Sequence, residues 1–507
     1  MTAGESRTEH LLIERPRRAV LKLAADELVD AAAALLTAGY RLALVAAHDS
    51  NGPLRIVYLF STGPPDQRVE LHVEVRRDQP QIPSLAHLSF PAGRFEREMR
   101  DLFGIEPVGH PQPRPLVLHQ HWASDWHPMR SDAGPQPAMI DDAKPYPFVN
   151  VEGPGVYEIP VGPVHAGLIE PGHFRLSVVG ETILRMKARL WFLHRGAEKL
   201  FVGRRPEEGI ELAERISGDT AVGHTLAYVM AVEDAAGIDV PEGDRLARAL
   251  LLELERMYNH VNDLGALAND VGYGIADAHL QRLRERLLRH NQHVTGHRLL
   301  RGAIGVGTGA LRGPPDVELI RAVAAEAAEV VAITLANSVV HDRFTGTAVL
   351  DHEQAVLLGT LGYVARGSGI DTDARRDHPF VDLGEGFDVV VENGGDVMAR
   401  YLVRARELAV SATLVEDLAA RLAERPGERT SVTTHAAGAG LGIVEAWRGA
   451  LVHRVELDAT GALSRVKIVD PSFLNWPALP VSLTDTIVPD FPLANKSFNQ
   501  SYAGNDL

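Results

Sequence analysis

His110, His119, His121 and His127 form the one histidine cluster in this chain whose spacing suits a metal ion. Zinc held in this way needs four well-placed ligands and partners behind them. Local backbone roles are the better account: His110 sits in a Gly-His-Pro turn, His119 and His121 flank the end of an expected strand, and His127 precedes Pro128. The chain has no cysteine. Thiolate is the soft, charged ligand for nickel, iron clusters and structural zinc, and neither hydroxyl nor carboxamide replaces it at useful affinity, so cysteine-bound metal centres and disulfides are excluded. Gly302, Gly305, Gly307 and Gly309 look like a phosphate loop, but no Lys-Ser/Thr follows and no strand-to-helix context precedes them. Direct nucleotide binding is therefore not expected. What remains is imidazole and carboxylate chemistry, which in a cleft relays protons because burial and pairing move these groups toward neutral pKa values.

Such groups need a scaffold, and 507 residues with 45% hydrophobic and 23% charged composition suffice for two or three cored domains. From Arg17 to about Trp122 the pattern is that of a small α/β domain. Asp26–Leu36 reads as a helix, and Tyr40–Ala47, Leu54–Phe60 and Val69–Val75 alternate like strands around Asn51-Gly52 and Pro64-Pro65 turns. Phe95–Phe103 reads as a short charged helix. Residues 123–155 are rich in Pro, Gly, Asp and Ser and lack an apolar period, as a linker does.

Beyond it, strands are expected at 174–178 and 183–193, then long helices over 206–216, 220–236, 244–268, 276–300, 316–341, 353–364 and 397–423. Gly442–Val455 and Ala462–Val469 alternate around Asp458–Gly461 as a hairpin. The expected class is α+β: domain 1–122, linker 123–155, and a larger mainly helical bundle with flanking β hairpins over 156–507.

The net charge of −16 falls mostly outside residues 1–126, which hold 14 Lys/Arg against 16 Asp/Glu. No basic run exists to displace counterions from phosphates, so nucleic acid is set aside as a partner. The opening Met1–Val20 lacks the apolar centre of a secretion signal. Ala322–Val340 carries Glu326 and Glu329 at helical spacing and reads as a buried helix rather than a membrane span.

Phe95-Glu96-Arg97-Glu98-Met99-Arg100-Asp101-Leu102-Phe103-Gly104-Ile105, followed by Gly109-His110-Pro111, resembles the signature of the 30 kDa subunit of respiratory complex I. Gly162-Pro163-Val164-His165, Gly172-His173-Phe174-Arg175-Leu176 and His194-Arg195-Gly196-Ala197-Glu198-Lys199 resemble its 49 kDa subunit and the large subunits of membrane-bound nickel-iron hydrogenases. In this order they are similar to the fused large subunits of formate hydrogenlyase and hydrogenase-4 complexes. Asp470–Trp476 and Asp490–Asn499 resemble a cysteine-free branch near hydrogenase-4 component G. The domain at 1–122 would then be 30 kDa-like and that at 156–507 49 kDa-like.

The resemblance implies positions for a site. The two C-x-x-C pairs that hold nickel and iron in hydrogenases fall on Ser217 and Thr220 and on Ser472 and Asn475, so no nickel-iron centre is expected. The tyrosine and histidine that hold a quinone headgroup in complex I fall on Gly218 and on or beside Pro171, so a quinone would have to bind without its usual ligands. Asp270 aligns with the acid that partners the quinone histidine, and with Glu198 it is the expected proton-handling pair. His165, His173 and His224 are the expected cavity lining.

Each has a structural alternative. Asp270 can pair at a helix end, Glu198 can answer a helix dipole, Ser217 and Thr220 with Asp219 can cap a helix, and Glu253, Glu255 and Arg256 can form a buried ion pair. The resemblance also implies an oxidoreductase class, NADH- or quinone-linked, and an iron-sulfur electron-transfer subunit and antiporter-like membrane subunits as partners. The implied location is peripheral, on the cytoplasmic face of a membrane. The expected function is a subunit that couples redox or proton chemistry to ion translocation, with a redox-inactive assembly subunit as the alternative.

Overall fold

The computed structural model describes residues 17–50, 52–141, 146–167, 169–427 and 437–507. Residues 1–16 of the expected polar opening, Asn51 of the expected turn and residues 142–145 of the expected linker lie outside the described residues.

The N-terminal sheet contains β1 (Arg17–Leu23), β2 (Arg41–Asp49), β3 (Leu54–Thr62) and β4 (Gln67–Val75), hydrogen-bonded in the order β1-β4-β3-β2. Within this sheet only the β1–β4 pair is parallel. The sequence reading missed β1 because it is an edge strand whose Val20 and Leu21 are both about half exposed, so it lacks the alternation of a half-buried strand. The charged helix is longer than expected, Phe90–Phe103, and lies between two short strands that pair in parallel, β5 (Gln81–Pro83) and β6 (Glu106–Val108). Ser89 caps it, Pro91 opens it and Gly104, with φ of 70°, closes it.

No helix or strand forms among the described residues between Val108 and Val156. There follow β7 (Val156–Val161), β8 (His173–Val179) and β9 (Thr182–Arg189), antiparallel in that order, and then the helices. Ala221–Ala236, Glu242–Asp270, Gly274–Thr295, Val317–Ala336 and Val397–Glu424 make the bundle. Two expected helices are broken. The stretch 316–341 divides at Asn337, whose carboxamide accepts the N–H groups of Val339 and Val340 and starts a second helix. The stretch 353–364 divides at Gly359, which takes φ of 68°. Val317–Ala336 is also less buried than expected: Ile320, Val323, Ala327 and Thr334 face inward while Ile333 is 54% exposed.

The last sheet has three antiparallel strands, Gly438–Ala446, Gly449–Leu457 and Leu463–Val469. The expected single strand 442–455 is thus two, joined by a turn at Trp447-Arg448. The helix Ala221–Ala236 lies directly on the first of these strands. Cβ atoms added at Gly438, Gly440 and Gly442 would stand 2.0, 2.1 and 2.0 Å from the carbonyl oxygens of Ala235, Ala231 and Ala227. Only glycine permits this approach.

The N-terminal sheet docks on this last sheet through buried ions. Arg454 reaches Glu70 at 3.1 Å and Glu456 at 2.6 Å, and Arg55 meets Glu456 at 2.6 Å. Lys467 bridges Glu98 at 2.6 Å and Glu198 at 3.0 Å, and Arg465 also holds Glu198, at 2.7 Å. Around these ions the N-terminal sheet, β7–β9 and the C-terminal elements share one apolar core. The bundle carries a second.

Replacing Gly440 by Ala forces the helix off the strand, and equilibrium denaturation should record a loss of about 1–3 kcal/mol. A neutral result would show that the helix does not depend on this glycine stripe.

Candidate functional site

A cleft of about 650 Å³ opens where four structural pieces converge. These are β7–β8, the loop before the Ala221 helix, the end of the Glu242–Asp270 helix, and the C-terminal helices Phe491–Phe498 and Tyr502–Asn505. Phe174, Phe491 and Tyr502 supply aromatic wall, while Asp219, Arg448, Asp270, Lys496 and His165 supply charge and hydrogen-bonding groups.

At its inner end Arg448 forks onto Asp219, Nη1 to Oδ1 and Nη2 to Oδ2, both at 2.7 Å. The tight turn sets this geometry. It stacks the guanidinium 3.9 Å over the Trp447 ring, aims Nε at the Asn499 carbonyl 2.6 Å away, and is packed so closely that a Cβ on Gly362 would meet the Arg448 carbonyl. Burial alone would raise the Asp219 carboxyl, but Arg448 and two hydroxyls hold it down at about 2. Those hydroxyls belong to Ser217 and Thr220, each donating to Oδ1 over 3.0 Å.

The same contacts join the two remote segments. Ser217 and Ser501 share a hydroxyl–hydroxyl bond of 2.8 Å, and the Ser501 N–H donates to the Ser472 hydroxyl over 2.9 Å. Asn475 is turned away, its carboxamide closing a pair of bonds with the Leu361 backbone at 2.8 and 3.1 Å.

Helix capping by Ser217, Thr220 and Asp219 is not what the structure contains. The Thr220 hydroxyl accepts from Trp447 Nε1 at 3.1 Å, and the free N–H groups at Val222 and Gly223 instead bond the Glu255 carboxylate at 2.7 and 2.9 Å. Glu255 is fully buried, and burial pushes its carboxyl up to about 8 despite those two donors. It therefore stands apart from the expected ion pair, which Glu253 and Arg256 make at 3.2 Å with Arg375 and Ser411 also on Glu253.

Asp270 ends its helix on the cleft wall. Burial raises its carboxyl, Lys496 opposes the shift and Asp277 reinforces it. His165 also lines the cleft, with Nε2 2.9 Å from the Gly172 carbonyl. The other candidates lie elsewhere. His173 bonds the Gly162 carbonyl and Arg175 beside β8. His224 is sealed behind the cleft, 3.0 Å from Asp470 and 3.1 Å from His453. Glu198 lies at the domain junction, where burial is outweighed by Arg465 and Lys467 and its carboxyl falls to about 2. That placement gives it a counter-ion's role.

The four histidines of the metal-like cluster each bond a different backbone carbonyl, those of Gly93, Leu190, Ile140 and Asp101. In the glycine loop the N–H groups of Gly302, Gly307 and Gly309 go to Glu214, Glu233 and Asp244. Those donors already face acids of this chain rather than a phosphate.

Sequence reasoning missed Arg448, Lys496 and Tyr502. For Arg448 the signal was Trp-Arg-Gly inside an apparent strand, where a positive-φ Gly449 marks a turn.

Asp219→Asn leaves Arg448 without its carboxylate. Because the cleft admits water on one side, the expected loss is about 2–3 kcal/mol, below that for a sealed pair. A thermal shift within error of zero would contradict this. Glu255, with its folded carboxyl raised from the usual 4.5 to about 8, binds more protons folded than unfolded across that window. Stability it supports at low pH is therefore lost as pH climbs from about 4.5 toward 8. Glu255→Gln should flatten that slope in denaturation series at pH 5 and 8, and an unchanged slope would count against the shift.

Comparison with known proteins finds three family matches along the chain. Respiratory-chain NADH dehydrogenase 30 kDa subunit matches residues 21–137, nickel-dependent hydrogenase matches 195–267, and respiratory-chain NADH dehydrogenase 49 kDa subunit matches 270–437. Hydrogenase-4 component G of Escherichia coli K12 is 33% identical over 469 residues, 90% of this chain and 81% of the relative. Formate hydrogenlyase subunit 5 of the same organism is 33% identical over 450 residues, 86% and 79%. Membrane-bound hydrogenase subunit alpha of Pyrococcus furiosus is 32% identical over 320 residues, 59% and 75%. Among solved structures, a chain of the membrane-bound sulfane sulfur reductase, an archaeal respiratory membrane complex, shares the fold at a TM-score of 0.61 and 24% identity, covering 70% of this chain and 99% of its own.

Proposed function

The chain belongs to the family of hydrogenase-4 component G and formate hydrogenlyase subunit 5, fused from 30 kDa-like and 49 kDa-like parts, and from that premise we propose that it is a peripheral-arm subunit of a membrane-bound respiratory complex whose cleft handles protons without a nickel-iron centre. The supporting observation is the meeting of Ser217 and Ser472 through Ser501 around the Asp219–Arg448 pair. Three hydroxyls, those of Ser217, Thr220 and Ser472, a carboxamide turned elsewhere and a guanidinium do not suit soft metals, which take thiolate.

A quinone headgroup would find aromatic wall at Phe174 and Phe491 and polar ends at His165 and Tyr502, in place of the usual tyrosine and histidine. The chain's own residues divide the proton work. Arg448 keeps Asp219 ionised, and burial keeps the Tyr502 phenol protonated with its pKa up at about 12. Asp270 is the cleft carboxyl whose proton affinity desolvation raises above its ordinary value. When Asp270 takes a proton, a negative charge that acts on Lys496 is removed, and Lys496 rides on the Phe491–Phe498 helix. That helix can pass the change to neighbouring subunits.

In this reading an iron-sulfur subunit brings electrons, antiporter-like membrane subunits receive the coupling, and the chain sits on the cytoplasmic face. Among the described residues no helix is long and apolar enough to cross a membrane. The oxidoreductase activity, NADH- or quinone-linked, is that of the whole complex. The second reading is a redox-inactive assembly subunit, which the number of cleft groups already tied to one another favours.

Asp270→Asn separates them. Proton handling predicts a complex that assembles normally and loses at least tenfold in ion-coupled turnover. Unchanged turnover in an intact complex would leave assembly as the role.

A further inference from the structure

On the far side of Trp476 from the cleft, a smaller pocket of about 150 Å³ lies between the Phe90–Phe103 helix, the Pro-rich stretch and the end of β9. Arg94, Arg97, Arg114 and Arg189 line it, with Tyr146 and Trp476 as aromatic wall. Four guanidiniums in so small a space repel one another unless something negative lies among them.

Their partners inside the chain are mostly neutral. Arg97 donates to the carbonyls of Arg114 and Pro115 at 2.7 and 3.0 Å, and Arg114 donates to the Pro147 carbonyl and the Gln112 carboxamide at 3.1 and 2.9 Å. Arg189 turns to the carbonyls of Leu116 and Leu118 and stacks 4.5 Å over Tyr146. Arg94 is the least satisfied. It rests 4.7 Å over Phe473 and 5.6 Å over Trp191, touches Asn505 at a long 3.4 Å, and has a solvent-shielded Nε with no hydrogen-bond partner.

The acids near enough to be felt are committed elsewhere. Asp101 accepts the N–H groups of Leu116, Val117 and Leu118, Glu98 belongs to Lys467, and Asp506 holds the Leu193 N–H and Asn505. Burial, followed by repulsion from Arg97, depresses Arg94 to about 9, and Arg97 and Arg189 are lowered by burial as well. Desolvated guanidiniums with unused donors are what planar or tetrahedral oxyanions bind bidentately.

We propose that this arginine pocket is a binding site for a small oxyanion of the phosphate class, held chiefly by Arg94 with Arg97, Arg189 and Arg114 completing the positive field. The site is independent of the proton reading of the cleft, from which Trp476 separates it: its ring packs against Phe174 and Tyr502 of the cleft wall.

Calorimetric titration of the purified full-length chain with inorganic phosphate tests it, with glycerol as the neutral control. The expected result is saturable 1:1 binding that weakens with added salt, falls at least tenfold in Arg94→Gln and is absent with glycerol. Arg94→Gln also removes packing on Phe473, so folding is checked by thermal melt, and Arg114→Gln at the rim, expected to weaken binding about threefold, gives a second reading. No saturable binding, or phosphate affinity unchanged in both variants, would overturn the proposal.

Discussion

A single ion pair organises the middle of this protein. Arg448 and Asp219 form a two-bond fork, and the residues that meet there come from four places: the loop before the Ala221 helix, a tight turn of the last sheet, the Asp470–Asn475 segment and the C-terminal tail. A charged pair can assemble remote segments in this way only when its remaining hydrogen-bonding capacity is met, because an unpaired buried ion costs more than the pair returns. Ser217, Thr220 and the Asn499 carbonyl meet it. Here the chain gathers hydroxyls around a guanidinium and a carboxylate.

That arrangement has consequences for the surroundings. With Thr220 committed to Asp219 and Trp447, the Ala221 helix has lost its own cap and takes Glu255 from the neighbouring helix instead. With the Trp447-Arg448 turn fixed, the strand before it must lie against the helix, and the glycine stripe at 438, 440 and 442 makes the approach possible. Deeper in the bundle the same logic repeats at larger scale: Arg366 reaches Glu407 at 2.7 Å and Glu445 at 2.8 Å, His260 shares Glu407 at 2.8 Å, and Arg375 ties Asp373 to Glu253. Most of these interior charges are answered by an opposite one, whereas Glu255, fully buried, keeps a raised carboxyl.

Much of the architecture was legible because its signals are local. The strands β2 to β4 and the long helices follow from alternation and helical spacing, and Ser217 and Ser472 could be brought together from motif order. What failed is what tertiary context decides. β1 is an exposed edge, the 316–341 helix breaks at an asparagine cap, and Arg448 was hidden inside a stretch that alternates like a strand on both sides of a two-residue turn. Only the resemblance of their motifs points Glu198 and His224 to the cavity. In three dimensions one answers Arg465 and Lys467 at a domain junction and the other faces Asp470 and His453 behind the wall. Partner choice for a charged side chain is a long-range property, and spacing along the chain does not carry it.

In the proposed reading this ion pair, and no nickel-iron centre, joins the segments that carry Ser217 and Ser472. Elemental analysis of the full-length chain, purified under reducing conditions with its native partners, tests it most directly. The account predicts no nickel in stoichiometric amount on this chain and no change in its folding after chelation. One firmly held nickel per chain, lost together with structure when Arg448 or Asp219 is replaced, would contradict it.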